Sequence, residues 1–298
     1  MADIAASVLA KLKNKSRKDG IQLQQLLNLF CQGEFIRRLS QSRYRDNLIL
    51  KGGFLLYSIS EFTARPTVDA DYLLKNYSNN LDSIEVLVRE VISSPSENDY
   101  IKFEIRGLKI IGETKEYHGI RVNLTGIIGK TKTPFSIDFG VGDVIIPSAV
   151  ERTLPVILPE FEKPKVLTYS LESTVAEKLD AIISLMEATG RMKDFYDIYY
   201  LAITFDFDGR KLQEAIYETL SNRGTPYEKD SVTAIFRLSK DAEIQKRWNN
   251  FCKKVLKYEL NLSDVVKVII DFVLPPYQSM IYEDEFFKNW RCKDRKYV

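Results

Sequence analysis

The spacing of apolar residues changes character twice along the chain. Over residues 3–19, Ile4, Val8, Leu9 and Leu12 recur at helical intervals, with Asp3 placed to cap the start and Gly20 to end the run; the spacing predicts an amphipathic helix. Residues 21–40 predict a second helix, with Leu23, Leu26, Leu27, Phe30 and Leu39 on its buried face. From residue 48 the period shortens. Leu48-Ile49-Leu50 reads as a short buried strand, Gly52-Gly53 follows as a turn, and Phe54 to about Ser60 as an apolar helix. Val68 to Leu74 alternates as a strand, 81–93 predicts a helix, and 100–111, 118–127 and 134–139 predict strands. The polar stretch 112–117 between the first two of these suits a hairpin. Pro155, Pro159 and Pro164 mark 151–165 as a linker. Beyond it the helical period returns over 171–188, 193–204, 209–222, 229–240, 242–259 and 263–273, the last stopped by Pro275-Pro276. The pattern predicts an α/β (α+β) chain: a mixed-sheet domain over 1–165, then an all-helical domain over 166–298.

Composition narrows this picture little, but it excludes several classes. At 45% hydrophobic and 28% charged, the 298-residue chain has material for a core and is not a disordered polymer. Forty-three basic against 41 acidic residues leave +2, which excludes a histone-like protein. Residues 1–45, however, carry nine Lys or Arg against Asp3, Asp19 and Glu34. That local excess is either two solvated helix faces or a surface for RNA or phosphate. Cys31, Cys252 and Cys292 are odd in number and widely spaced, as in a reducing compartment. The one histidine, His118, excludes a His-rich zinc site and reads as structural or exposed. The most apolar late stretch, Asp264 to Leu274, is interrupted by Lys267 and Asp271, and the start lacks a signal-peptide pattern. A cytoplasmic protein without a membrane partner is expected.

Three segments of the first domain carry chemistry. Leu50-Lys51-Gly52-Gly53 is a strand running through a double-glycine turn into a helix start, where backbone N–H groups attract phosphate; a plain tight turn would use the same glycines. Arg65-Pro66-Thr67-Val68-Asp69-Ala70-Asp71 puts two carboxylates on one strand face. Such a pair needs a cation, and Mg²⁺ or Mn²⁺ with oxygen ligands suits it; a solvated strand edge is the plain alternative. Phe135-Ser136-Ile137-Asp138-Phe139 sets a third acid in an apolar strand end, either as a turn cap or as a third metal-site carboxylate. Together they supply the parts for two-metal nucleotidyl transfer, with Asp69, Asp71 and Asp138 holding the ions and Asp138 orienting or deprotonating the acceptor hydroxyl.

This order of motifs, GGxxL, RxTxDxD and a later acid in an Ile-Asp-Phe strand, resembles the nucleotidyltransferase-like AbiEii/AbiGii toxin family. The resemblance continues in Leu171-Glu172-Ser173-Thr174-Val175-Ala176-Glu177-Lys178-Leu179, similar to the family's third motif, and in Arg191-Met192-Lys193-Asp194-Phe195-Tyr196-Asp197-Ile198-Tyr199, similar to its fourth. It covers about residues 48–202 and matches nothing beyond 205. On the helical side, Asp194 and Asp197 share a face; with Lys178, Arg191 and Lys193 they form either a nucleotide-holding set or an interhelical salt-bridge network. One departure stands out: the family commonly has a small or hydroxyl residue after the glycines, where this chain has Phe54 and Leu55. A hydroxyl contact to phosphate is therefore lost, leaving backbone N–H groups and Lys51.

The resemblance implies the toxin of a bacterial toxin–antitoxin or phage abortive-infection system. It would be a metal-dependent nucleotidyltransferase moving an NMP from GTP or another NTP to an acceptor, tRNA in related toxins, with the active site in the interdomain cleft. Lys51, Gly52, Gly53, Arg65, Thr67, Arg191 and Lys193 would bind the nucleotide, and Lys178, Asp194 and Asp197 would join the three acids as catalytic residues. A neighbouring antitoxin would antagonise it without a stable complex. Two other readings stay open: an inactive NTP- or RNA-binding module, and a nucleotidyltransferase acting on a small molecule.

Overall fold

The computed structural model describes residues 4–67, 69–96, 98, 100–112 and 118–298. The expected cap Asp3, the position Val68 and most of the 112–117 hairpin turn lie outside the described residues. The chain divides into two compact units, Met1–Gly142 with Val150–Thr168, and Asp143–Ala149 with Tyr169–Val298.

The first unit is built on a mixed sheet. Its strands are β1 (Leu48–Lys51), β2 (Asp69–Leu74), β3 (Ile101–Ile111), β4 (Gly119–Ile128), β5 (Thr131–Gly140), β6 (Val150–Thr153) and β7 (Lys165–Thr168). Among the described residues they run in the order β3-β4-β5-β2-β1-β7-β6. Two of the pairings, β2 with β5 and β1 with β7, are parallel. Alternation divides the faces. Ala70, Tyr72, Ile120, Val122, Leu124, Ile137 and Phe139 are buried, while Asp69, Asp71, Arg121, Ser136 and Asp138 occupy the intervening positions. Helices α1 (Ile4–Asp19), α2 (Leu23–Gln41), α3 (Gly52–Ile59) and α4 (Leu81–Ile92) accompany the sheet, with α2 packed on β5 and β7 and α4 on β3. The start of α4 follows from Asn80, whose side chain accepts from Ser83 N at 2.8 Å, and its Ile84, Leu87, Val88 and Val91 are buried at helical spacing.

A buried ion cluster fixes α2. Glu34 is fully enclosed and binds Arg37, Arg38 Nε at 3.3 Å, Ser96 Oγ at 2.8 Å and Asn98 Nδ2 at 2.7 Å. Arg38 also donates to the Ile101 carbonyl at 2.8 Å. One carboxylate thus ties α2 to the chain entering β3, and each of its charges has a partner, the condition under which buried ions are tolerated.

Residues 151–165 are not a linker. Their ends are strands of the sheet: Val150↔Thr168 to Thr153↔Lys165 pair antiparallel, and Leu154, Ile157 and Leu158 are buried in the loop. The prolines lie outside the ladder, where a missing N–H costs nothing.

The second unit holds α5 (Leu171–Leu185), α6 (Met192–Thr204), α7 (Gly209–Asn222), α8 (Ser231–Leu238), α9 (Ala242–Phe251) and α10 (Leu262–Ile281). It adds a small sheet of β8 (Phe207–Asp208), β9 (Asn289–Arg291) and β10 (Lys296–Tyr297). Two expectations change here. The basic stretch Arg291-Cys292-Lys293-Asp294-Arg295-Lys296 predicts a frayed solvated tail rather than an RNA contact, yet the chain end is anchored: Trp290 is buried, donates from Nε1 to the Ala202 carbonyl at 2.6 Å and packs against Phe272 and Tyr297. And α10 runs through Pro275 and Pro276 to Ile281. Pro276 cannot donate to the Phe272 carbonyl four residues earlier, and Tyr297 OH does so instead at 2.6 Å. Among the described residues no helix is long and apolar enough to cross a membrane.

Replacing Glu34 by Ala would leave Arg37 and Arg38 enclosed without their carboxylate. A loss of about 3–5 kcal/mol is expected in urea denaturation.

Candidate active site

The glycine turn and the acid pair meet in the first unit. β1 ends at Lys51 and α3 begins at Gly52, whose φ of +69° is the left-handed region that glycine enters at no steric cost. A methyl group at 52 would overlap a carboxylate oxygen of Asp71, and one at 53 would come within 2.9 Å of Thr67 Oγ1 and 3.3 Å of an Arg65 guanidinium nitrogen. The glycines therefore let the backbone press against Asp71, Thr67 and Arg65 together. Lys51, the residue before the helix, makes no side-chain cap to the first turn of α3, and the leading N–H groups of a helix are the kind of donor that binds anions. Phe54 and Leu55 are buried, Phe54 against an apolar pocket shared with Leu29, Phe30 and Ile36 of α2. Their place in the core accounts for the missing hydroxyl residue.

Strand register completes the arrangement. Lys51 lies opposite Asp71, Asp71 beside Asp138, and Asp138 opposite Arg121. Four adjacent strands thus carry a row of cation, acid, acid, cation, and Asp69 stands two residues from Asp71 on the same face. Thr67 Oγ1 lies 3.4 Å from the Asp69 carbonyl. Arg121 holds Asp138 through a fork, Nε to Oδ1 at 2.7 Å and Nη2 to Oδ2 at 2.5 Å. The hydrogen bond to Asp138, then the charges of Asp138, Asp69 and Asp71, raise the guanidinium's proton affinity above its ordinary value against the opposing effect of burial. Sequence reasoning missed Arg121. Its one signal was a lone cation between Ile120 and Val122, and only the register shows what it faces.

The donor chemistry fits a hard divalent cation. Asp69 and Asp71 offer carboxylate oxygens from one strand face, and Asp138 is their neighbour. Among the described residues no three acids form a coordination set, and both oxygens of Asp138 are taken by Arg121. Asp69 and Asp71 fit as ligands by donor type and strand face, and Asp138 fits on leaving Arg121.

The second unit gathers the helical motifs. Lys178 of α5 is enclosed and lies 3.0 Å from Asp194 Oδ1 and 2.5 Å from Asp197 Oδ2. The Arg191 Nε lies 2.5 Å from Asp194 Oδ2. Burial raises the Asp194 pKa, but Lys178 and Arg191 outweigh it and hold the carboxyl below its ordinary value. Arg191 is half exposed, and Lys193 is exposed and stands apart from this cluster. Beside it lies a network that the sequence did not reveal. Arg223, from a loop without evident chemistry, binds Asp143 at 2.7 Å, Asp180 at 2.9 Å and Glu177 at 3.3 Å.

The basic excess near the start of the chain is largely neutralised. Lys11 pairs with Glu160, Lys15 with Asp19, Arg37 and Arg38 with Glu34, Arg43 with Glu90 and Arg45 with Glu151. Lys13, Arg17 and Lys18 of α1 remain exposed.

Comparison with known proteins gives a consistent result. Residues 34–272 match the family model described as nucleotidyl transferase AbiEii toxin, type IV TA system. The fold is similar to MenT4, a nucleotidyltransferase toxin of Mycobacterium tuberculosis H37Rv, at a TM-score of 0.56 and 14% identity over 88% of this chain and 98% of that one. JHP933 from Helicobacter pylori aligns at a TM-score of 0.47 and 14% identity over 87% of this chain and 97% of its own, too low to carry a structural argument. No curated protein sequence matches.

Two outcomes are expected. Gly52→Ala forces a side chain into the left-handed region and against Asp71. A stability loss of about 1–3 kcal/mol should appear in thermal melts, with weakened nucleotide binding. Asp194→Asn tests the second cluster. A carboxyl with a depressed folded pKa contributes stability above its unfolded pKa and loses it as pH falls through the folded value. In urea titrations the gap between wild type and Asp194→Asn should be widest near neutrality and close as the pH drops below about 4.

Proposed function

Because the chain belongs to the AbiEii nucleotidyltransferase toxin family of type IV toxin–antitoxin systems, we propose that it transfers an NMP from an NTP, GTP among the candidates, to an acceptor hydroxyl and releases pyrophosphate. It is a nucleotidyltransferase with a nucleotide substrate and an antitoxin counterpart. The observation that carries the finer reading is the row Lys51–Asp71–Asp138–Arg121 with the glycine turn seated on Asp71.

In this reading the N–H groups at Gly52 and Gly53 and the Lys51 ammonium receive the triphosphate, which needs close backbone approach and positive charge. Arg65 and Thr67, beside Gly53, bracket the phosphates from the other side of the turn. Asp69 and Asp71 would hold Mg²⁺ or Mn²⁺, with Asp138 as third acid; the ion would offset triphosphate charge and acidify the acceptor hydroxyl. The acceptor oxygen bonds to the α-phosphorus, the bond to the leaving pyrophosphate breaks, and the acceptor proton passes to a carboxylate, a role we assign to Asp138. In the second unit Lys178, Asp194, Asp197, Arg191 and Lys193 serve the nucleotide. Lys178, held between two carboxylates, is fixed for a contact that a mobile lysine would make less often. An RNA such as tRNA is the acceptor class we propose, and exposed Lys13, Arg17 and Lys18 suit a polyanion. Action in the cytoplasm, in abortive infection of phage-infected cells, and an antitoxin that opposes the activity without a stable complex complete the proposal.

The test is to incubate the protein with Mg²⁺ or Mn²⁺ and each α-labelled NTP, offering total tRNA, cell lysate or a small-molecule extract. Label is expected on RNA, and Asp69→Asn or Asp71→Asn should reduce it by at least about a hundredfold. Label confined to small molecules would overturn the RNA acceptor. Nucleotide binding without label on any acceptor would favour a binding module.

A further inference from the structure

The acid row contains its own counter-ion. Asp71 and Asp138 are neighbours across two parallel strands, and like charges so placed repel. The guanidinium of Arg121 relieves this from the neighbouring strand β4, filling both oxygens of Asp138. The Asp138 side chain is 14% exposed and that of Arg121 is 32% exposed, so the acid is enclosed while the cation lies at the rim. Arg121 lies opposite Lys109 of β3, so a further cation, not an acid, flanks its far side in the register.

Resting on the function proposed above, we propose that Arg121 is a positioning residue that occupies Asp138 in the nucleotide-free enzyme and is exchanged when a divalent cation and the triphosphate bind. Three observations support this. Asp138 is held in a two-point fork, and among the described residues the three acids are not gathered as a coordination set. Release requires only rotation of a long side chain at the rim, with no shift of the sheet. The released guanidinium then has a ligand of matching shape, because phosphate oxygens accept the same fork that carboxylate oxygens do. Asp138 keeps a cationic partner through the exchange: a guanidinium leaves it as a divalent cation arrives, and Arg121 moves to the anionic substrate.

A fixed strut makes the opposite forecast for cation affinity. If Arg121 merely orients Asp138 for the metal, its removal weakens binding. If it competes for Asp138, removal strengthens binding.

The measurement is Mn²⁺ affinity of the nucleotide-free full-length chain, read from the electron paramagnetic resonance signal of free Mn²⁺, with thermal melts alongside. Arg121→Gln is expected to bind Mn²⁺ about tenfold more tightly than wild type, a difference of roughly 1.4 kcal/mol. It should melt lower without Mn²⁺, and the gap should narrow as Mn²⁺ saturates the site. In an Asp138→Asn background the same substitution should raise affinity by a clearly smaller factor, the part due to a cation removed from beside Asp69 and Asp71. Arg121→Lys retains the charge but not the fork, and should gain affinity by a smaller factor. Unchanged or weaker Mn²⁺ binding in both Arg121 variants, an effect of equal size without Asp138, or no Mn²⁺ binding by any form would each overturn the exchange. The readout needs no turnover. A wild type that labels RNA but shows no Arg121 effect defeats this proposal alone, and one that labels nothing yet shows the exchange defeats only the reaction proposed above.

Discussion

Two carboxylates on adjacent strands, Asp71 and Asp138, set the terms for the sheet of the first unit. Their charges can share one face only with cations at hand, and the register supplies Lys51 on one side and Arg121 on the other. The same constraint reaches into the turn. Asp71 presses so closely on residue 52 that a side chain there would overlap it, so the turn must be glycine. The helix that follows opens at this corner, without a side-chain cap from Lys51. Acid pair, glycine turn and helix start share one crowded corner.

The scaffold that holds this corner uses the same rule with the opposite purpose. Glu34 is sealed among Arg37, Arg38, Ser96 and Asn98, and its pairs fix α2 on the sheet. In the second unit Lys178 is set between Asp194 and Asp197. Satisfied, enclosed ion groups of this kind are rigid, because breaking any member strands a partner away from water. The Arg121–Asp138 pair differs in lying at a rim, where a released guanidinium can be rehydrated or meet phosphate. That contrast separates ion pairs that build from one that can be exchanged.

Much of this was legible in the residues. Strand alternation put Asp69 and Asp71 on one face, and the glycine pair announced a turn into a helix. The helical motifs offered a nucleotide-holding set or an interhelical salt-bridge network around Lys178, Asp194 and Asp197, and Lys178 lies 3.0 Å from Asp194. What failed were inferences from local composition. Prolines at 155, 159 and 164 suggested a linker, yet the flanking residues pair as β6 and β7. Pro275-Pro276 suggested a helix end, yet Tyr297 OH satisfies the orphaned Phe272 carbonyl and α10 continues. The basic excess in residues 1–45 suggested an exposed patch, yet acids as distant as Glu90, Glu151 and Glu160 meet much of it.

The division between the two sources of information follows from range. Backbone periodicity, glycine's access to positive φ and the placing of two acids at i and i+2 are local properties, fixed within a few residues, and the chain carries them in plain view. Which strand lies beside which is not local. Seventeen positions separate Arg121 from Asp138 in the chain, and no spacing rule joins them. Only the closure of the sheet in the register Asp71↔Asp138↔Arg121 put a guanidinium on the third acid. The residues named the chemistry, and the long-range strand pairing chose the partners, because side chains far apart in sequence acquire an interaction energy only once the sheet has formed.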